Sequence, residues 1–259
     1  MLATATATDQ TRVAAAIART VQPPQHETCQ AGHRIAENLK LLHDSLPITR
    51  RLLRAGDAVY EAGERFESLH VVNSGIFKLV NLSADGREQV VGLQFKGDWL
   101  GFDGIATGRH GCDAVAMDTG EVWTVRYDAL LQASLRQPAL MAVMHAAMSR
   151  EMSRDRDALL SICTLPADAR VAEFLHNWAA SLSERGLRTD QITLRMTRAE
   201  IGNYLGMKLE TVSRALSRLA RDKVIEFSET GRREVRIPDL AVLSACVQRS
   251  LAPEGATLQ

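Results

Sequence analysis

The spacing of apolar residues changes along this chain of 259 residues. Over residues 48–127, short apolar or alternating runs are separated by recurrent glycines, a pattern typical of the strands of a β-sandwich or barrel. Asp85 and Gly86 have the residue types of a hairpin turn between strands predicted at 77–82 and 89–95. This part of the chain is therefore predicted to be an antiparallel β domain.

Beyond residue 138 the apolar positions recur every three or four residues, apart from one gap. This stripe predicts a long amphipathic helix that ends near Pro166 and resembles a coiled-coil seam. Packing on its own domain is one interpretation, but a rod-like helix between two domains favours contact between two copies of the chain. In a homodimer two Asp155 carboxylates would approach each other and weaken association. The predicted dimer contacts are Met141, Met144, Met148, Met152, Asp155, Leu159 and Ile162.

Two short helical patterns follow near residue 200. Thr197 and Glu200 have the spacing of a capping box, and Gly206 supplies a tight turn. The second pattern has an apolar face and an opposite face of Arg, Glu and Ser, which are side chains that pair with base edges in the major groove. This predicts a helix-turn-helix that reads DNA, although an ordinary surface pair of Glu210 with Arg214 is the alternative interpretation. The predicted base-reading residues are Glu210, Ser213 and Arg214.

The flanking segments fit a winged helix. A helix is predicted over 167–185, and alternating segments at 224–227 and 234–237 enclose a basic tip. Lys208 occupies the position before the second helix where Ser or Thr is the usual cap. Residues expected to contact DNA phosphates are Thr197, Arg198, Lys208, Thr211, Ser217, Arg218, Arg232 and Arg233.

Composition and charge agree with this division. The chain is 46% hydrophobic and 24% charged, as soluble globular proteins are, and its formal net charge is zero. Residues 195–236 nevertheless hold ten basic and six acidic residues, a local excess that favours a DNA partner. No run of eighteen apolar residues and no apolar signal core are present, so no membrane association and a cytoplasmic location are predicted.

Cysteine spacing and motif content argue against other kinds of site. The four cysteines, Cys29, Cys112, Cys163 and Cys246, are far apart and predict free thiols rather than a metal site. No nucleophile–base pair, phosphate loop or metal cluster is recognisable, so neither a catalytic residue nor an enzyme is predicted.

The order of β-roll, long helix and winged helix-turn-helix resembles the CRP/FNR family of bacterial transcription regulators over about residues 48–245. The runs GDWLGFDG at 97–104 and IGNYLG at 201–206 are similar to the FNR branch, as is the Glu210-x-x-Ser213-Arg214 pattern. The resemblance implies a homodimer on inverted TTGAT half-sites, with Arg214 on guanine, Glu210 on the paired cytosine side and Ser213 on thymine. Leu209 stands where the cyclic-AMP-responsive branch has another base-reading Arg. The resemblance also implies RNA polymerase as a partner, and regulation of respiratory, oxygen-limitation or nitrogen-oxide responses.

The resulting fold class is α+β, with a cyclic-nucleotide-binding-like antiparallel β-roll, a long dimerisation helix and a C-terminal winged helix-turn-helix. The expected boundaries are an N-terminal extension at 1–46 with little core of its own, and a short helix over 33–43. The further segments expected are the β-roll at 47–136, the dimerisation helix at 137–165, the DNA-binding domain at 166–250 and a tail at 251–259.

The chain departs from the family where its relatives bind cofactors. Iron-sulfur sensors of the FNR branch need about four converging thiolates, whereas the N-terminal region here offers only Cys29, and Trp123 takes the β-roll ligand position. Gly101-Phe102 replaces the Gly-Glu pair that holds the ribose of cyclic AMP, and Arg109 lacks the following Ser. An iron-sulfur cluster and cyclic AMP are therefore both disfavoured, and no cofactor is evident.

Several inputs and one rival function stay open. The alternatives for the signal are haem bound by His70 or His145, oxidation of a cysteine, and control by abundance alone. Cys163 is the main candidate for oxidation, and Cys29 and Cys112 are further redox candidates. The rival is a cyclic-nucleotide-like regulatory module that serves an enzyme or a scaffold. The polar helix face and the basic wing would have no role in such a module, so these features favour DNA binding.

Overall fold

A computed structural model describes residues 25–82, 86, 88–228 and 231–251. The chain forms two compact units. One, the β-roll unit, comprises residues 32–160 together with 195–209. The other, the C-terminal unit, comprises 161–194 together with the described residues from 210 onward and residues 25–31.

The β-roll unit contains two antiparallel four-stranded sheets, as the alternating pattern predicts. One sheet has the strand order β1-β8-β3-β6, and the other has the order β2-β7-β4-β5. The strands are β1 (Thr49–Leu53), β2 (Ala58–Tyr60), β3 (Ser68–Ser74), β4 (Phe77–Leu82), β5 (Glu88–Gln94), β6 (Trp99–Leu100), β7 (Asp113–Ala116) and β8 (Gly120–Arg126).

The predicted hairpin is formed by β4 and β5, which pair from Phe77↔Gln94 to Leu82↔Glu88. The turn residue Asp85 lies outside the described residues. Because β5 is the last strand of its sheet order, its outer backbone groups have no further strand to pair with among the residues that the structure describes. The outer side of β5 is therefore a sheet edge that another part of the chain can cover.

The N-terminal helix α1 (Gln25–Ser45) is longer than the helix predicted over 33–43. Its leucines at positions 39 and 42, and Leu46 just after it, are buried in a cluster that also contains Trp99 and Trp123. Residues from Gly32 onward therefore belong to the β-roll unit. This corrects the expectation of an extension with little core, because these leucines recur at helical spacing and bury apolar surface.

Gly97 explains why the loop before β6 needs a glycine. Its φ of +86° is unfavourable for other residues, and a Cβ would lie 2.6 Å from Cγ2 of Ile35 in α1. The loop can approach the N-terminal helix this closely only because the glycine has no side chain.

The β-roll unit also contains α2 (Gly104–Thr107), α3 (Tyr127–Arg136), the first part of the long helix α4 (Pro138–Thr164), and the short helix at Arg198–Tyr204. The helix α4 confirms the predicted helical period. Met144 is only 4% exposed and lies in the same core cluster as Leu42, with Met141 and Met148 packed against that cluster. This part of the stripe packs on its own chain, so Met144 is a core residue and not an exposed dimer contact.

The C-terminal unit contains α5 (Ala167–Ser183) and α8 (Leu240–Leu251), which pack against each other. Three strands form a sheet in the order β10-β11-β9, with β9 (Gln191–Thr193), β10 (Glu226–Ser228) and β11 (Gly231–Arg236). The β10–β11 hairpin is the predicted wing, whereas the short strand β9 was not expected. Within the described part of the chain, no helix combines the length and apolar character needed to cross a membrane.

The buried position of Leu42 leads to a stability prediction. Replacing Leu42, which is 1% exposed, with Ala should lower the free energy of unfolding by about 3 kcal/mol, because a cavity remains in the core. Urea unfolding followed by tryptophan fluorescence is suitable, since Trp99 and Trp123 lie in the same cluster. The matched control is Leu52→Ala in β1, where the leucine is 75% exposed and a loss below about 0.5 kcal/mol is expected. Equal losses in both variants would show that α1 is not part of this core.

Candidate nucleic-acid interface

The first helix of the helix-turn-helix, α6 (Arg198–Tyr204), begins with the predicted capping box. The Thr197 hydroxyl accepts a hydrogen bond from the Glu200 backbone N–H at 3.2 Å, and the Glu200 carboxylate accepts from the Thr197 N–H at 2.8 Å. These reciprocal bonds satisfy backbone donors that have no partner within the first helical turn. The start of α6 is thus fixed by its own sequence.

A tight turn follows α6. The backbone N–H of Met207 donates to the carbonyl of Gly202 at 2.8 Å. A Cβ at Gly202 would lie 2.6 Å from the carbonyl oxygen of Met207, so only glycine permits this approach. Residues 205–208 then lead directly into the second helix.

The second helix, α7 (Leu209–Arg221), divides into two faces as predicted. Its apolar face is buried. Its opposite face borders an open surface depression, and the Ser217 hydroxyl on it donates to the Ser213 carbonyl at 2.8 Å. The buried residues are Val212, Ala215, Leu216 and Leu219. The depression is lined by Ser213, Arg214, Ser217, Arg218 and Arg221.

The surface-pair interpretation of Glu210 and Arg214 is not realised in the structure. Both side chains are exposed, and neither forms a hydrogen bond or an ion pair with any described residue. A carboxylate and a guanidinium on the same exposed face therefore keep their hydrogen-bonding groups available for an external partner.

Arg218 has a partner that the sequence did not reveal. Its guanidinium forms an ion pair with the carboxylate of Asp168 in α5, fifty residues earlier in the chain. Both side chains are nearly half exposed, so the pair contributes little to stability. It does restrict where the guanidinium points, because a charge-assisted hydrogen bond is directional.

The remaining predicted phosphate contacts are distributed along both helices and the wing. Thr197 and Lys208 are exposed, Arg198 and Thr211 are partly exposed, and Arg233 is exposed in β11. The side chain of Arg232 in the same strand lies outside the described residues. Their contacts with DNA remain predictions.

Comparison with known proteins agrees with both domains. Residues 50–137 match the cyclic nucleotide-binding domain, and residues 169–246 match the Crp-like helix-turn-helix domain. The fumarate nitrate reduction regulatory protein of Klebsiella oxytoca is 33% identical over 182 residues, which cover 70% of this chain and 73% of that protein. The corresponding protein of Escherichia coli K12 is 32% identical over the same length. The chain belongs to the CRP/FNR family of transcription regulators.

Solved structures support the same assignment. FixK2 from Bradyrhizobium japonicum has a TM-score of 0.68 and 29% sequence identity, and the match covers 77% of this chain and 97% of that one. A CRP/FNR regulator from Thermus thermophilus, TTHA1359, is 18% identical with a TM-score of 0.63, and the match covers 78% of this chain and 100% of that one. At that identity it supports the fold alone. This CRP/FNR chain therefore pairs a cyclic-nucleotide-binding-like fold with a DNA-binding domain.

In this CRP/FNR β-roll, the side chains of the segment that the resemblance compares with a nucleotide site form contacts within the chain itself. The Arg109 guanidinium donates to the Gly63 carbonyl at 2.7 Å, and the buried ring of His110 stacks on Tyr60 with a centroid separation of 3.7 Å. The thiol of Cys112 lies 3.6 Å from a carboxylate oxygen of Asp103. Burial raises the pKa of Cys112 to about 12, and the negative charge of Asp103 adds to this effect, so the thiol is protonated at neutral pH.

The two histidines considered for haem occupy different environments. The His70 ring is 6% exposed and its Nδ1 shares a hydrogen bond of 3.0 Å with the Thr124 hydroxyl. Burial lowers the pKa of His70 to about 3, which keeps the ring neutral. His145 is exposed on α4. Trp123 donates from its indole N–H to Glu121 at 2.7 Å, so its polar atom is used within the sheet.

Glu200 should make the stability of the β-roll unit depend on pH. Burial acts to raise the pKa of Glu200, but hydrogen bonds from Lys78 and Thr197 outweigh it and hold the pKa below the ordinary value of 4.5. Its contribution to stability is therefore complete above 4.5 and is lost as the pH falls through the lower folded value. Glu200→Gln should cost about 1 kcal/mol at neutral pH, and less in acid.

Urea unfolding of the parent and of Glu200→Gln across a pH series measures this difference. Glu210→Gln is the control, because that carboxylate is exposed and has no partner among the described residues. A difference between parent and Glu200→Gln that stays constant from neutral to acidic pH would contradict the assigned role of the charge.

Proposed function

We propose that this transcription regulator binds, as a homodimer, inverted repeats of TTGAT-like half-sites. The observation that carries the proposal is the exposed face of α7, where Glu210 and Arg214 have no partner among the described residues. Those are the side chains that the resemblance to the FNR branch assigns to base reading.

The chemistry of this face suits a G·C pair within the half-site. Arg214 can donate two hydrogen bonds to the O6 and N7 atoms of guanine, and Glu210 can accept one from the N4 amino group of the paired cytosine. Ser213, one residue before Arg214, can bond to a neighbouring base edge. All three lie in the first half of α7, and the N-terminal residues of a recognition helix are those that contact bases.

Phosphate contacts would come from side chains around this reading face. Thr197, Arg198, Lys208, Thr211, Ser217, Arg218, Arg232 and Arg233 are proposed for this role. The Asp168–Arg218 ion pair would orient one of these cations before DNA arrives, and it would loosen when a phosphate competes for the guanidinium.

The second half of α4 supports the homodimer. Met152, Leu159 and Ile162 are 52%, 63% and 42% exposed, although they continue the apolar stripe of the same helix. An exposed apolar row at coiled-coil spacing is suited to a second copy of the helix, because association would remove it from water. Asp155 lies in this row and is exposed, so the like charge of a second Asp155 carboxylate nearby would oppose association.

We propose that DNA binding requires neither an iron-sulfur cluster nor cyclic AMP. Cys112 is a protonated thiol beside Asp103, and Cys163 and Cys246 lie on α4 and α8. Phe102 stands where the family's ribose-binding Glu would be, and Arg109 is bonded to Gly63. These cysteines therefore do not fit an iron-sulfur cluster, and Phe102 and Arg109 do not fit cyclic AMP. RNA polymerase is the proposed protein partner, since the relatives regulate transcription.

Arg214→Ala should weaken binding to a duplex with an inverted TTGAT repeat by roughly tenfold to a hundredfold, because a bidentate contact to guanine is lost. Fluorescence anisotropy titrations measure the affinity. The control is Arg218→Ala, which should weaken binding to all sequences alike and reduce the salt dependence by about one phosphate contact. Binding of the inverted repeat by Arg214→Ala as tight as that of the parent would refute the DNA-reading assignment.

Asp155→Ala should tighten the homodimer several-fold, because two facing carboxylates no longer repel each other. Sedimentation velocity over a concentration series measures the dissociation constant. The opposing control is Ile162→Asp, which puts a charge into the same exposed row and should favour monomers. If neither substitution changed the monomer–dimer equilibrium, the dimer contact would lie elsewhere.

A further inference from the structure

An amide side chain of α6 pairs with the free edge of the β-roll. Asn203 accepts a hydrogen bond from the backbone N–H of Val90 at 2.6 Å through its Oδ1, and its Nδ2 donates to the backbone carbonyl of Glu88. These two groups lie on the outer edge of β5, which ends its sheet. The Asn203 amide thus satisfies edge groups that would otherwise need another strand or water.

Further contacts reinforce this pairing within the same compact unit. The Gln89 side chain donates to the backbone carbonyl of Asn203. Lys78 in β4 forms an ion pair of 2.6 Å with Glu200, and the Lys78 side chain is only 16% exposed. We call the contacts of Asn203 and Glu200 with Lys78, Glu88, Gln89 and Val90 the β5 clasp.

The clasp links the sheet to the capping box of α6. One oxygen of the Glu200 carboxylate accepts from Lys78, and the other accepts from the backbone N–H and the hydroxyl of Thr197. Any movement of Lys78 would therefore act on the first turn of α6. Asn203 anchors the opposite end of the same helix.

A helix of seven residues needs such support. Helices shorter than about 12–15 residues are marginally stable in water on their own, because helix nucleation is unfavourable and a short helix forms few backbone hydrogen bonds to offset it. The capping box fixes the first turn, but the last turn of α6 depends on tertiary contacts. The clasp supplies polar tertiary contacts from β5 to this last turn.

We propose that Asn203 is a positioning residue for DNA binding, which holds α6 on β5 so that the first helix of the helix-turn-helix is ordered before DNA arrives. The inference rests on the proposed function, because α6 is the first helix of the DNA-reading pair. When a binding-competent arrangement is only fractionally populated, the apparent affinity falls by that fraction. Loss of the clasp therefore weakens DNA binding although Asn203 is not among the residues proposed to contact bases or phosphates.

The test compares full-length Asn203→Ala with Asn81→Ala in titrations against a duplex carrying an inverted TTGAT repeat. Asn81 is a matched control, since it is an exposed asparagine in the adjacent strand β4. We expect roughly tenfold weaker binding for Asn203→Ala and less than about twofold change for Asn81→Ala. Lys78→Met is the second variant; it breaks the clasp from the β-roll side without altering α6, and it should weaken binding several-fold.

Salt dependence separates positioning from phosphate contact. For Asn203→Ala and Lys78→Met the slope of log affinity against log salt should equal that of the parent, whereas removal of a phosphate contact reduces it by about 0.9. Hydrogen exchange provides a readout that does not need DNA. The amides of Val90 and Leu205, which bond to Asn203 and Ile201, should exchange faster in both clasp variants.

Unchanged or tighter DNA binding in both clasp variants would overturn the proposal, and so would unchanged exchange at Val90 and Leu205. Thermal unfolding identifies a variant that has lost its fold, in which case the other variant decides. The parent and Arg214→Ala belong in the same titration series. If Arg214→Ala also binds like the parent, the proposed function has failed, whereas failure of the clasp variants alone overturns only this inference.

Discussion

A helix that reads DNA must be held firmly on one side while its other side stays free of partners in its own chain. In α7 the first condition is met by Val212, Ala215, Leu216 and Leu219, which are all buried. Burial of these side chains stabilises the helix without using any polar group. The second condition is met by Glu210 and Arg214, whose hydrogen-bonding groups are not used by the described residues. In the proposed function, the specificity for a DNA sequence depends on this separation of the two faces.

The helix before it meets a different requirement. With only seven residues, α6 cannot rely on a long buried face, and polar contacts fix both of its ends. Glu200 serves the capping box and Lys78 at once, and Asn203 pairs with β5. The two helices of the reading motif therefore differ in what holds them: α7 has four buried apolar side chains, whereas α6 combines the buried Ile201 with directional hydrogen bonds near both ends.

Features with a local signal could be predicted from the sequence. The hairpin of β4 and β5, the helical period of α4 and the capping box of Thr197 with Glu200 are all set by neighbours a few residues apart. Contacts between distant residues could not be predicted, such as Asp168 with Arg218 or Asn203 with Val90, because no pattern in one sequence pairs residues so far apart.

The long helix shows why periodicity alone was insufficient. The same apolar spacing continues through α4, yet Met144 is buried in its own core while Leu159 is 63% exposed. Spacing identifies the apolar face of a helix but not what covers it. The buried leucines of α1 give a weak signal for a related reason, because a segment with few apolar residues can still contribute to a core when those residues share one face.

The central claim is that two copies of this chain read one inverted repeat. The most direct measurement is a titration of the unmodified full-length protein with three duplexes, monitored for both affinity and stoichiometry. The duplexes carry an inverted TTGAT repeat, a single TTGAT half-site, or the repeat with its guanines replaced by adenines. We expect two chains on the intact repeat, weaker binding to the half-site, and a loss of roughly tenfold or more on the substituted repeat. Equal affinity for all three duplexes, or one chain per intact repeat, would contradict the claim.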